Sequence, residues 1–121
     1  CDEMHAEGFP RPEVAELLKR FRTARVDIAA IEAVKTPDGK SLPMREWARK
    51  MKVIYTPSFV FFDAKGREVF RVEGYLRPFH LASSLDYVAS GAYKKQPEFQ
   101  RFIEARAAAR RAQGEKIELM K

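Results

Sequence analysis

Tyr55-Thr56-Pro57-Ser58-Phe59-Val60-Phe61-Phe62-Asp63-Ala64-Lys65-Gly66-Arg67 is the stretch on which the reading of the fold turns. Phe59 to Phe62 is an unbroken bulky apolar run, which predicts a strand buried on both faces, as at the centre of an α/β sheet. Asp63-Ala64-Lys65-Gly66 is a tight-turn signal and Arg67 to Val72 continues as a second strand, so a β-hairpin is predicted. Gly74-Tyr75 ends it. Thr56-Pro57 precedes the first strand. In trans, a proline there avoids a lost ladder bond. In cis, the state of ~5–6% of such bonds, it would turn the Thr56 N–H and C=O out of the sheet, where they can hold an extended chain as strand pairing does.

Outward from the hairpin, helices alternate with extended segments. Pro12 opens a helix to about Arg22, with Val14, Leu17, Leu18 and Phe21 on one face. Arg25 to Val34, where Val26 and Ile28 alternate with polar residues, is expected to be a strand. Thr36-Pro37-Asp38-Gly39-Lys40 is a turn. Ser41 is expected to cap a helix carrying Met44, Trp47, Ala48 and Met51. Beyond the hairpin a helix runs from about Pro78 to Ser90, with Leu81, Leu85 and Val88 inward and Gly91 as its stop. Pro97 opens a last helix with Phe99, Phe102 and Ile103 on one side, ending near Gly114. This order predicts an α/β protein, a mixed sheet flanked by helices. The apolar run needs a partner on each edge. Arg67 to Val72 supplies one; the other is Arg25 to Ile31 or, the preferred expectation, a strand lying before Cys1.

Composition bounds the function. The chain has 121 residues, 45% hydrophobic and 33% charged, with nine Phe and one Trp. That suits a globular domain rather than a disordered chain. The single cysteine excludes an intramolecular disulfide scaffold, and no apolar run approaches the ~20 residues of a membrane span. Of the net charge of +6, most lies after residue 90, where eight basic residues face four acidic ones. Glu residues interleave with these, and no aromatic follows Phe102 to stack on bases, so this helix reads as a solvated face and no nucleic-acid partner is expected.

Three blocks together resemble the thioredoxin-like thiol–disulfide oxidoreductases, and among them the exported thioredoxin-like proteins associated with bacterial sulfur oxidation. The first is Cys1-Asp2-Glu3-Met4-His5 leading into Phe9 and Pro12-Glu13-Val14. It is similar to the second cysteine of a Cys-x-x-Cys pair and the helix after it. The second is Tyr55 to Phe62 with Asp63, Gly66 and Glu68, similar to the family's cis-proline loop and hairpin. The third is Gly74-Tyr75-Leu76-Arg77-Pro78 with the following helix and the tail Gly91 to Pro97. The resemblance implies a thioredoxin-like domain over 1–91, with its first strand and first cysteine upstream of Cys1. It implies a basic helical extension over 92–121, packed on or beside that domain. It also implies a periplasmic or otherwise exported setting. The departure is the single cysteine.

Cys1 is then the candidate catalytic thiol. Exchange needs the thiolate, which a helix N-terminus favours through its partial positive charge. His5, one turn on, is the candidate modulator of that thiol when protonated, with Asp2 and Glu3 opposing it. Thr56, Pro57 and Tyr55 are the candidate substrate-binding residues. Cys1 and His5 share a helix face, but a closed zinc site needs two further ligands and His80 is the only other histidine, so no metal and no cofactor is expected. The expected partners are a protein disulfide or small thiol substrate and an upstream redox partner. Self-association through sheet edges is open. Turnover is not expected of a single-cysteine chain. The alternatives are a redox-inactive binding module built on the same fold, and a lipid-modified Cys1.

Overall fold

The computed structural model describes residues 4–114, and Cys1, the candidate catalytic thiol, lies outside them. Two compact units form. One is the segment ending at Arg22 together with that beginning at Leu76, and the other is Thr23–Tyr75. Strands and helices are intermixed as the α/β reading expects, consistent with a thioredoxin-like fold. Among the described residues the strands form two separate two-stranded antiparallel sheets.

The middle unit holds both sheets. β1 (Ala33–Lys35) pairs with β2 (Ser41–Pro43), Val34 opposite Leu42. Between them Thr36 N–H donates to the Lys40 carbonyl at 2.8 Å, closing the expected turn. The strand expected over Arg25 to Val34 is thereby corrected to its last residues. Asp27 accepts the Ala29 N–H on its carboxylate at 2.8 Å and the Ala30 N–H on its carbonyl at 3.1 Å. This local turn competes with ladder bonds and breaks the alternation of Val26 and Ile28.

Ser41 is corrected as well, from helix cap to strand residue opposite Lys35. Pro43 stands at the cap of α2 (Met44–Lys50) with φ −56° and no side-chain cap. The first helical N–H groups are satisfied instead by the preceding chain: Met44 donates to the Glu32 carbonyl and Arg45 to that of Ala30, each at 2.8 Å. Trp47 of α2 stacks on Phe62 at 6.0 Å between centroids.

β3 (Ser58–Phe62) and β4 (Glu68–Glu73) form the expected hairpin, Phe61 opposite Phe70, with a register shift between Phe61 and Phe62. Its turn is organised by Asp63, which accepts the Lys65 and Arg67 N–H groups at 2.9 and 3.0 Å. The Arg67 N–H, with the neighbouring donors, holds the Asp63 carboxyl below the usual carboxylate range. Gly66 takes φ +80°, and a Cβ there would lie 3.0 Å from the Pro37 carbonyl oxygen in the turn between β1 and β2. Only Phe61 of the apolar run is fully buried, the others half-buried, because among the described residues β4 is the only strand paired with β3.

In the other unit, a π-helical turn (Met4–Gly8) precedes α1 (Pro12–Leu18). α1 stops short of Arg22, tightening into three-residue turns in which Arg20 bonds to Leu17 and Phe21 to Leu18. α3 (Pro78–Ala89) is the core element, with Leu81, Ala82, Leu85 and Tyr87 buried. Gly91, at φ +78°, ends it as expected and leads into a short α4 (Ala92–Lys95) that the sequence reading does not contain. α5 (Phe99–Ala112) starts two residues after Pro97 and packs on α3 with Ile103 and Ala107 fully buried. Tyr87 lies among Tyr93, Phe99 and Phe102, at 6.3, 5.1 and 4.9 Å between centroids. Its hydroxyl donates to the Gln96 carbonyl at 2.5 Å, so the buried ring keeps its polar end satisfied.

Candidate functional site

The Thr56–Pro57 loop connects α2 to β3. Lys52, at φ +56°, turns the chain out of α2, and Val53 N–H bonds back to the Ala48 carbonyl at 3.0 Å. Ile54 and Tyr55 follow and are exposed, 74% and 61%. The Thr56–Pro57 peptide is cis. The Pro57 carbonyl accepts the Gly74 N–H at 2.8 Å and the Tyr55 carbonyl accepts the Ser58 hydroxyl at 2.5 Å. The intervening Thr56 is exposed, and its backbone bonds to no other described residue. An exposed residue whose N–H and C=O bond to no described residue, beside two large exposed side chains, is an arrangement that an extended polypeptide can pair with.

His5 is exposed on the π-helical turn, its ring edge-on to Phe9 at 4.8 Å. It belongs to the unit that contains α1, whereas Tyr55, Thr56 and Pro57 belong to the Thr23–Tyr75 unit. His80 is half-buried, and burial pushes its imidazole below the usual histidine range. No helix of the described residues is long and apolar enough to cross a membrane.

One cluster was beyond the reach of sequence reasoning. Glu13, in the first turn of α1, is gripped by Arg106 and Arg110 of α5, with Arg110 Nη1 at 2.8 Å from Oε2. Arg106 also donates to Asp86 at 3.1 Å and to Ser83 at 3.0 Å. Both guanidinium groups lie over the Phe79 ring, at 5.1 and 5.7 Å from its centroid. Arg110, followed by Arg106, holds the Glu13 carboxyl below the usual range against the opposing effect of burial. The four-residue spacing of the two arginines signals one helix face, but Glu13 is 93 residues from Arg106, and nothing local pairs them.

Two comparisons with known proteins found nothing, as neither a curated protein nor a solved structure matches the chain. A family model described as a thioredoxin-like domain matches residues 1–89. That span runs from Cys1 through the Thr56–Pro57 loop to the last residue of α3, and its family points to thiol–disulfide chemistry. The chain belongs to the thioredoxin-like domain family.

Proposed function

We propose that the protein carries out thiol–disulfide exchange on polypeptide or small thiol substrates, with Cys1 as the second cysteine of a Cys-x-x-Cys pair. The observation that carries the reading is exposed Thr56, its backbone unbonded to described residues, next to exposed Tyr55 within the matched family span. In this reading the substrate chain lies along Thr56–Pro57, pairs with the Thr56 N–H and C=O, and rests an apolar side chain on Tyr55. The upstream cysteine's thiolate attacks the substrate disulfide, whose S–S bond breaks as the mixed disulfide forms and whose other sulfur leaves as a thiolate. The Cys1 thiolate then attacks the upstream cysteine's sulfur. A new S–S bond forms within the pair, and the substrate leaves as a thiolate that takes a proton from water. Protonated His5 favours the Cys1 thiolate. An exported, periplasmic setting beside bacterial sulfur oxidation completes the proposal.

The 121-residue chain, with its one cysteine, is expected to stop at a mixed disulfide. Incubated with glutathione disulfide, it should gain one glutathione on Cys1, seen by intact mass, with one equivalent of glutathione released. With a first strand and Cys-Xaa-Xaa added ahead of Cys1, it should reduce insulin with dithiothreitol as the electron source. Cys1→Ser in that extended chain should accumulate the mixed disulfide. An extended chain without insulin reductase activity overturns the exchange reading. It would favour a redox-inactive module that docks proteins on the same loop, a reading the single cysteine supports.

A further inference from the structure

We infer that α5 acts as a brace that positions the segment leading from His5 into α1, with Glu13 as its anchor and Arg106 and Arg110 as positioning residues; this rests on the thiol-exchange reading. α1 is a seven-residue helix without a side-chain cap. A helix so short does not hold itself in water, so its first turn depends on tertiary contacts. The Glu13 carboxylate supplies one, and its partners come from α5, which lies beyond residue 89, where the family match ends.

The cluster is balanced: Glu13 and Asp86 offset Arg106 and Arg110. Arg106 is only 11% exposed at its side chain, so its charge is held by Asp86 and Ser83 of α3 as well as by Glu13. Phe79, at the start of α3, provides the face on which both guanidinium groups rest. α5 thereby ties the first turn of α1 to α3.

The position set at Glu13 passes to the segment before it through a continuous run of bonds. Ala15 N–H bonds to the Arg11 carbonyl at 2.8 Å and Arg11 N–H to the Gly8 carbonyl at 3.1 Å. The Arg11 side chain donates to the Glu7 carbonyl at 3.2 Å. Gly8 is buried, and the π-helical turn packs against α3. Pro10 and Pro12 stiffen the link, each with its φ fixed by the ring. Displacing the first turn of α1 therefore displaces His5.

Cys1 is the sole thiol, so alkylation of the whole chain by iodoacetamide reports on it alone. The pH profile of that rate and the His5 imidazole NMR shift, with its contact to Phe9, are to be measured in the wild type, Glu13→Ala, Glu13→Gln and Arg110→Ala. Both alanine variants should slow alkylation at neutral pH by about threefold. They should also move the His5 signal, and Glu13→Gln should move both in the same direction. Glu13→Gln keeps the side-chain shape and carries the test if the alanine variants fail to fold. Folded variants with the wild-type profile and the wild-type His5 signal overturn the brace. A moved His5 signal with an ordinary, unchanged Cys1 profile upholds the brace and counts against the exchange reading instead.

Discussion

Replacing Ile103 by alanine asks whether α5 is part of the folded core or an appendage to it. Ile103 has no exposed surface, and α5 packs against α3. The change removes roughly three buried methylene equivalents, which at about 0.8 kcal/mol each comes to about 2.4 kcal/mol. The cavity left behind raises the loss to about 3 kcal/mol, inside the range of about 2–5 kcal/mol for such truncations. For 121 residues, an unfolding entropy of about 2.1 cal/mol/K per residue gives about 0.25 kcal/mol per degree, so Tm should fall by about 12 °C. Urea unfolding followed by far-UV circular dichroism is the assay, with a lower midpoint expected at an unchanged slope. Glu104→Ala, at an exposed neighbour on the same helix, should stay within about 0.5 kcal/mol of the wild type. A loss below about 1 kcal/mol at Ile103 would mean that α5 does not contribute to the cooperative core, and the packing argument would fail.

Gly66→Ala should cost about 2 kcal/mol, because the new side chain meets both a left-handed φ of +80° and the Pro37 carbonyl at 3.0 Å. Gly39→Ala, at φ +86° but with open space around it, separates the two causes in thermal melts; equal losses would show that the Pro37 contact contributes nothing. Glu13 predicts a pH dependence. Its carboxyl lies below the ordinary range in the folded chain, so the unfolded chain binds the proton first as pH falls. Its contribution is complete above about pH 4.3, the ordinary glutamate value, and fades as pH drops through the folded value. Urea midpoints of wild type and Glu13→Gln should differ at neutral pH and converge in acid. His80, pushed down by burial, is common to both chains and drops out of the difference. A gap that persists unchanged into acid contradicts the assignment.

Where chemistry is local, residue types alone were enough. Asp63 and Gly66 carry their own turn, the first by accepting N–H groups two and four residues on, the second by taking a positive φ. Pro78 and Gly91 bracket α3 for equally local reasons, a preset φ at the start and left-handed freedom after the end. The family signal is legible because it is a linear series of such blocks, from Cys1 to the helix ending at Ala89.

Tertiary structure decided what depends on competition between partners. The alternation of Val26 and Ile28 satisfies a strand pattern, yet Asp27 folds the chain back on itself and the ladder begins only at Ala33. Ser41 is a sound cap by type, yet the carbonyls of Glu32 and Ala30 already satisfy the N–H groups at the start of α2. The grip of Arg106 and Arg110 on Glu13 was the least legible of all. A charged side chain near the surface has many possible partners in sequence. Only the packing of α1, α3 and α5 brings these three within reach, at a separation along the chain where no propensity or periodicity acts.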